Sequence, residues 1–131
     1  MRLRRWYKRG LYLALLAMLL LWGIGCTASK MPEEQLLGEW VGVFEDEPLT
    51  MVFLEDGLVA IIEFGEETYA FYAVDFSYSP AHLNFLLDGI PLDTIIEFVD
   101  DDTMRFENNL PFEPRPTGFS ETAETITLTR K

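Results

Sequence analysis

The sequence predicts an all-β domain, an eight-stranded antiparallel up-and-down barrel, behind an N-terminal signal helix. From Gly38 onward, apolar residues recur at every second position in short segments, as they do in half-buried strands. Turn-forming residues separate these segments, and no helical periodicity intervenes. Consecutive strands of this kind form a meander, and closing the meander into a barrel removes its exposed edges. A two-sheet β-sandwich is the alternative.

The first 25 residues have the composition of a secretory signal. Residues 1–10 contain five basic side chains and no acid, and residues 11–25 (LYLALLAMLLLWGIG) are nearly all apolar. A basic segment, about 7–15 apolar residues and then small residues are typical of a signal peptide, whereas a spanning helix needs about 20 apolar residues. We therefore predict a signal peptide over residues 1–25, with an uncleaved anchor as the alternative.

Cys26, the only cysteine, follows this segment directly. Ile24, Gly25 and Cys26 resemble the lipobox of bacterial lipoproteins, although Gly23 stands where that family commonly has Leu, Val or Ile. The resemblance implies cleavage before Cys26, diacylation of its sulfur and attachment to a membrane of the cell envelope. Two acyl chains hold a protein stably at a membrane, whereas one does so only marginally. Thr27 in place of Asp favours the outer membrane where the organism has one. A plain signal peptide with an incidental cysteine is the alternative.

Residues 26–35 are expected to form the lipidated cysteine and a short tether, and residues 36–131 the barrel domain. Residues 31–37 (MPEEQLL) predict one or two helical turns, because Pro32 suits the first helical position and the two glutamates favour the positive end of the helix dipole.

The net charge of the mature chain limits the classes of partner that it is expected to bind. Five of the ten Lys and Arg residues lie in the leader, so cleavage leaves 5 basic residues against 22 acidic ones, a formal charge of −17. Such a chain lacks the basic patches that nucleic acids and anionic lipid surfaces require, so no nucleic-acid partner is expected. With one cysteine, the domain has no internal disulfide and must be stable through its core.

The eight strands are predicted in order from the alternation and from the turns between them. Asp56-Gly57 and Asp88-Gly89 are the strongest turn signals, because Gly accepts a positive φ. A proline-rich loop over residues 108–120 (NNLPFEPRPTGFS) precedes the last strand. The predicted strands cover residues 38–45, 49–54, 58–64, 68–78, 82–87, 92–99, 103–107 and 122–130.

The first strand carries a resemblance to lipocalin-like (calycin-type) barrels. Gly38-Glu39-Trp40, directly after a short helical turn, is similar to the Gly-x-Trp start of those barrels. The resemblance implies that Trp40 closes one end of the barrel and that a basic residue near the end of the last strand, here Arg130, packs across it. A guanidinium over an indole contributes about 0.5–2 kcal/mol, depending on its desolvation.

The domain also resembles a family of small, uncharacterised bacterial envelope domains. Those domains combine the Gly-x-Trp opening at Gly38 with an Asp-Asp-Thr-hydrophobic-Arg hairpin and a late Arg-Pro-Thr. Here the hairpin motif ends at Arg105, and the late motif is Arg115-Pro116-Thr117. This resemblance implies a fold and no particular activity.

No candidate site for catalysis or metal binding emerges from the sequence. The acidic clusters fall at predicted turns and lack a calcium-loop pattern, so solvated turn residues are favoured over a metal site. His82 is the only histidine and is expected at the surface, at the start of a strand. Glu63, Asp75 and Glu97 are acids inside strands, and nothing pairs them for acid–base chemistry. We expect no enzyme activity, no metal and no cofactor.

Aromatic residues on the strands suit either a filled interior or one small ligand, and the short strands favour a filled interior. The loop over residues 108–120 is interpreted as a connector whose Arg115 pairs with nearby acids, with a lid or partner-docking loop as the alternative. The predicted function is a lipid-anchored cell-envelope protein that binds a small apolar ligand or a protein partner. The alternatives are an accessory subunit of an envelope complex with a filled barrel and, less favoured, a hydrolase-type enzyme.

Overall fold

Eight strands form a closed antiparallel barrel in the computed structural model, which describes residues 30–131. The predicted barrel is thus confirmed and the sandwich alternative is wrong, whereas the predicted signal peptide and Cys26 lie outside the described residues. Within residues 30–131, no helix combines the length and the hydropathy that crossing a membrane requires. The elements are α1 (Pro32–Leu36), β1 (Gly38–Phe44), β2 (Glu47–Phe53), β3 (Leu58–Glu63), β4 (Glu66–Asp75), β5 (Ala81–Leu87), β6 (Ile90–Asp100), β7 (Thr103–Glu107) and β8 (Thr125–Arg130).

The barrel closes between its first and last strands. Trp40 of β1 lies opposite Arg130 of β8, and Val41 lies opposite Thr129. At the next position, a Cβ placed on Gly42 would stand 2.6 Å from the carbonyl oxygen of Thr127. The missing side chain of Gly42 therefore lets β1 and β8 approach closely enough to complete the sheet.

Three two-residue turns and one long connection form one end of the barrel, which we call the open end. The turns are Glu45-Asp46, Phe64-Gly65 and Asp88-Gly89, and both residues of each have positive φ, as type I′ hairpins require. The long connection, residues 108–124, joins β7 to β8 at the same end. The opposite end, where α1 precedes β1, is the closed end.

Two strand ends differ from the predicted bounds by three residues. β4 ends at Asp75 rather than at residue 78, because the Asp75 carboxylate accepts hydrogen bonds from the Ser77 backbone N–H and Oγ, 2.9 and 2.6 Å away. β8 begins at Thr125 rather than at residue 122, because a turn in which Thr125 N–H donates to the Thr122 carbonyl precedes it. Local side-chain and turn hydrogen bonds end strands in this way.

The inward-facing residues of all eight strands and one residue of α1 form a single apolar core. Every strand, α1 and all of this core lie within Met31–Lys131, which is a compact unit. This segment therefore contains the interactions that its fold needs and is expected to fold by itself. Its fully buried large side chains include Trp40, Phe53, Leu36, Leu83, Ile96, Met104 and Leu128.

Candidate functional site

The closed end is sealed by Trp40 and by the chain that leads into β1. Trp40 is fully buried, and its indole Nε1–H donates to the Leu36 carbonyl at 2.8 Å. The Arg130 guanidinium carbon lies 4.3 Å from the Trp40 ring centroid. Arg130 also donates to the carbonyl of Leu37 at 2.9 Å and to that of Gln35. One cation therefore stacks on the indole and satisfies carbonyls at the end of α1, which helix termini leave unpaired.

Gly38 makes room for this arrangement. Its φ is +116°, and a Cβ built there would stand 3.1 Å from Nη1 of Arg130. A side chain at this position would strain the backbone and push against the guanidinium. The Gly-x-Trp sequence therefore supplies both the buried indole and the space for the cation that covers it.

Aromatic rings fill the interior next to the closed end. Phe98 contacts Trp40 at a centroid distance of 6.1 Å and stacks on Phe76 at 5.8 Å. Phe85 and Phe106 meet edge to face at 6.0 Å in the middle of the barrel. Among residues 30–131, no buried side-chain nitrogen or oxygen atom lacks a hydrogen-bond partner. These aromatic contacts pack this half of the interior around the buried Trp40.

The open half of the interior contains a cavity of about 220 Å³. Protein interiors are close-packed, so a cavity of this size is unusual in a domain of about a hundred residues. Its walls are almost entirely aliphatic and aromatic. All eight strands contribute to the lining, which includes Phe44, Leu49, Met51, Ala70, Phe85 and Ile126. The interior is thus filled at one end, as the short strands predict, and hollow at the other.

Two polar side chains stand among the apolar lining of the cavity, Glu63 and Asn108. Glu63 lies opposite the buried Leu49 in the register of β2 and β3, so it belongs to the inward face, and it is exposed at the last position of β3. Asn108 begins the long connection, and its Nδ2 donates to Glu124 at 2.7 Å. The mouth therefore presents one carboxylate directly beside an apolar interior.

The rim of the open end is itself apolar. Phe64 and Ile90 belong to two of the hairpins, and Leu110 and Phe112 belong to the long connection. Phe112 is 78% exposed and Leu110 is 64% exposed. A contiguous group of solvent-exposed apolar side chains indicates a binding surface more often than a single exposed apolar residue does.

Arg115 fixes the long connection to the outer wall of the barrel. Its Nη1 donates to the carbonyls of Leu83 and Thr94, 3.2 and 2.5 Å away, and its Nη2 donates to Asn84 Oδ1. The nearest acid in an ion pair with it, Asp93, is 3.8 Å away. Arg115 therefore pairs with a nearby acid, as expected, but backbone carbonyls are its closer partners.

Pro116 and Thr117 continue along this outer wall. They border a shallow surface groove with Tyr78 and His82, over the outward-facing Ile95, which is 2% exposed. The His82 and Tyr78 rings stack at 3.7 Å. The Arg-Pro-Thr segment therefore covers apolar surface outside the barrel and does not line the cavity.

Arg105 holds the later part of the same connection. It forms ion pairs with Glu97 at 2.8 Å and Glu121 at 2.7 Å, and its guanidinium lies 4.3 Å over the Phe119 ring. Its hydrogen bonds to the Glu97 and Glu121 carboxylates raise the pKa of Arg105 above its ordinary value, so it remains a cation. Like Arg115, it positions the connection and is remote from the cavity.

A buried carboxylate that the sequence did not single out ends β7. Glu107 is 3% exposed and accepts hydrogen bonds from Ser120 N–H at 2.8 Å, Ser120 Oγ at 2.7 Å and Thr125 Oγ1 at 3.0 Å. Three donors satisfy the charge, so Glu107 ties the connection to β8. Its three donors belong to the connection and the start of β8, so local patterning carries no signal for its burial.

The other strand acids do not meet in one cleft. Asp75 lies at the closed end, where hydrogen bonds from Ser77 lower its pKa below the ordinary value. Glu97 pairs with Arg105 on the outer wall, and Glu63 stands at the mouth. Within the described part of the chain, no three His, Cys, Asp or Glu side chains group as a metal site would require.

The inward position of Glu63 carried a signal in the sequence. It continues the alternation of Val59 and Ile61 on the inward face of β3, and an acid at the end of such a series predicts a charge at the rim. No pattern in the sequence predicted the cavity.

Comparison of the chain with models of known protein families, with curated proteins and with solved structures found no match.

Proposed function

We propose that this protein is a lipid-anchored component of the bacterial cell envelope that binds a small apolar molecule in the open-end cavity and performs no chemistry on it. The cavity of about 220 Å³ is the observation that carries the proposal. The lipobox resemblance at Cys26 and the Gly-x-Trp resemblance to lipocalin-like barrels support the anchoring and the mode of binding.

The size of the cavity limits the ligand. Drug-sized sites occupy roughly 300–1,000 Å³, whereas an engineered apolar cavity of about 150 Å³ in another protein already binds benzene. The volume is also about seven times the ~30 Å³ that a water molecule takes in the liquid, and a methylene group is of similar size. The ligand part that enters is therefore a single ring or an alkyl chain of about seven or eight carbons.

The expected affinity follows from the buried area. A chain of this length that loses about 200 Å² of apolar surface to the cavity gains roughly 5 kcal/mol at about 25 cal/mol per Å². Because binding also costs translational and rotational freedom, this free energy sets the tightest expected dissociation constant, about 0.2 mM. The apolar walls favour binding, and the two polar lining side chains supply too few groups for a catalytic constellation.

Titration of 1-octanol into ¹⁵N-labelled Met31–Lys131, followed by NMR chemical shifts, tests the proposal. We expect saturable shifts at lining residues such as Phe85 and Ile126, with sub-millimolar to millimolar affinity. Ala70→Leu adds side-chain volume at a buried lining position of β4 and should abolish binding. Ala73→Leu makes the same change at an exposed position of β4 and is the matched control.

Two results would contradict the proposal: no saturable shifts in the wild-type domain, or equal affinity of the Ala70→Leu and wild-type domains. The thermal melting curve of each variant is recorded first, because a filled cavity should leave the fold intact or stabilise it.

A second candidate is an accessory subunit that works through its outer wall. Phe71 of β4 is 61% exposed, and its partners in the sheet register are Leu58 and Leu86, so the three share one outward face. Exposed apolar neighbours on a sheet favour a protein contact. Phe71→Ser should abolish copurification of an envelope protein and leave octanol binding unchanged, whereas Ala70→Leu should do the reverse.

A further inference from the structure

The charges at the open end define the chemical class of the ligand. Resting on the proposed function, we propose that the ligand is a cationic amphiphile, whose apolar tail enters the cavity and whose positively charged head lies at the Glu63 carboxylate. An ammonium or guanidinium group on a short alkyl chain or a single ring fits this description.

The position of Glu63 is the first step. Its side chain lies among the cavity-lining residues, at the end of β3 where the apolar wall meets water. Among residues 30–131, its carboxylate forms no side-chain hydrogen bond and no ion pair, whereas Glu97, Glu107 and Glu121 are each bonded to donors of the domain. An ionised carboxylate beside apolar surface is more stable when a cation lies against it.

The surroundings of Glu63 are the second step. The three hairpins of the open end contribute further acids around the mouth, and none of them takes part in an ion pair within the described residues. They are Glu45, Asp46, Glu47, Glu66, Glu67 and Asp88. Charges of one sign around a low-dielectric cleft focus the potential, so the mouth attracts cations and repels anions.

The basic residues are the third step, because all four within Met31–Lys131 lie away from the mouth. Arg130 and Lys131 lie at the closed end, where they contact Trp40 and Glu39. Arg105 and Arg115 are held on the outer wall. No cation of the domain is therefore in place to neutralise a carboxylate or phosphate head group at the mouth.

The layout of the cavity matches an amphiphile rather than a purely apolar molecule. The apolar lining continues inward from Glu63 to residues such as Met51 and Phe106, so tail and head have separate places along one axis. A fatty acid of the same length would bring a carboxylate against Glu63 and the acidic hairpins, which is unfavourable.

The test uses three probes with the same eight-carbon chain: octylammonium, 1-octanol and octanoate, titrated at pH 7 into Met31–Lys131 by calorimetry and NMR. We expect octylammonium to bind about five-fold more tightly than octanol, the upper value for one solvent-exposed ion pair. Octanoate should bind at least about five-fold more weakly than octanol. The preference for octylammonium should shrink in 0.5 M NaCl, because salt screens exposed charges.

Two variants assign the preference to the mouth. Glu63→Gln should bring the affinities for octylammonium and octanol to within about two-fold of each other. Glu55→Gln removes the same charge from the turn between β2 and β3 at the closed end and should preserve the preference.

The outcomes separate this inference from the proposed function. If octanol and octylammonium bind the cavity equally well, or if Glu63→Gln leaves the preference intact, the cationic head group is refuted and ligand binding stands. Tighter binding of octanoate than of octanol would refute it as well. If none of the three probes binds, the proposed function itself is refuted.

Discussion

Replacing Arg130 with methionine tests whether one side chain holds the closed end together. Arg130 stacks on Trp40 at 4.3 Å, donates to the Leu37 and Gln35 carbonyls, and lies 3.4 Å from the Asp102 carboxylate. Its side chain is 27% exposed, so these contacts are only partly screened by water. Methionine keeps an unbranched side chain of similar length and removes the charge and all the donors.

The expected loss in the free energy of unfolding follows from these contacts. Two hydrogen bonds from a charged donor contribute about 1.5 kcal/mol each, and the cation–π contact about 1 kcal/mol. The pair with Asp102 contributes about zero, since that carboxylate is 76% exposed. Contact of the methionine sulfur with the Trp40 ring restores about 1 kcal/mol. Arg130→Met should therefore lower the free energy of unfolding by about 3 kcal/mol, a large share of the ~5–15 kcal/mol typical of a domain.

Urea denaturation of Met31–Lys131, followed by fluorescence, measures this loss. Trp40 is the only tryptophan in that segment, so the signal reports on the closed end directly. In a thermal melt, a loss of about 3 kcal/mol corresponds to roughly 12–24 °C for a domain of this size. Arg130→Lys should cost less, because it keeps the charge but loses the planar fork.

Lys131→Met is the matched control. Lys131 neighbours Arg130 and pairs with Glu39 at 3.2 Å, but it is 67% exposed. Its loss should change the free energy of unfolding by no more than about 0.5 kcal/mol. The reasoning is wrong if Arg130→Met lies within about 1 kcal/mol of the wild type, or if both variants are equally destabilised.

Two further predictions concern the barrel seam and the end of β4. Gly42→Ala should lower the free energy of unfolding in urea by about 1–3 kcal/mol, because its Cβ would lie 2.6 Å from the Thr127 carbonyl oxygen. Gly118→Ala is the control and should be nearly neutral, because open space surrounds that residue. Equal effects of the two substitutions would contradict the close approach of β1 and β8 as the cause. Ser77→Ala removes one of the hydrogen bonds that lower the pKa of Asp75, so that pKa should rise in an NMR carboxyl titration, and an unchanged value would refute the assigned cause. A carboxyl group with a lowered pKa in the folded state stabilises the fold at pH values above its unfolded-state pKa, and this stabilisation is lost as the pH falls through its folded-state pKa. In Ser77→Ala, the free energy of unfolding should therefore fall less steeply as the pH is lowered through this range.

Much of the fold could be predicted because strand formation here depends on local patterns. Alternation located all eight strands, and the Asp88-Gly89 turn has the positive φ at both residues that its sequence suggests. β4 ends earlier than predicted because hydrogen bonds between Asp75 and Ser77 replace the ladder there. The β3–β4 turn uses Phe64-Gly65, one residue earlier than the Gly65-Glu66-Glu67 signal indicates, because one glycine suits either turn position.

The partners of the motif residues could not be predicted in the same way. Arg115 donates to the carbonyls of Leu83 and Thr94, which are 32 and 21 residues away in the sequence. Backbone carbonyls have no sequence signature, so residue types alone pointed to acids as the partners. Only the path of the connection across β5 and β6 brings these atoms together.

The sequence by itself determined the number of strands, the alternation along them, and the acidic charge of the domain, because these depend on residue type and a two-residue period. The tertiary structure alone decided that the interior is packed around Trp40 and hollow above Phe85, and that Glu63 stands at the mouth while the basic residues lie elsewhere. A cavity is the difference between the volume that eight strands enclose and the volume that their side chains fill. That difference depends on the register and closure of the whole barrel, which no single segment contains.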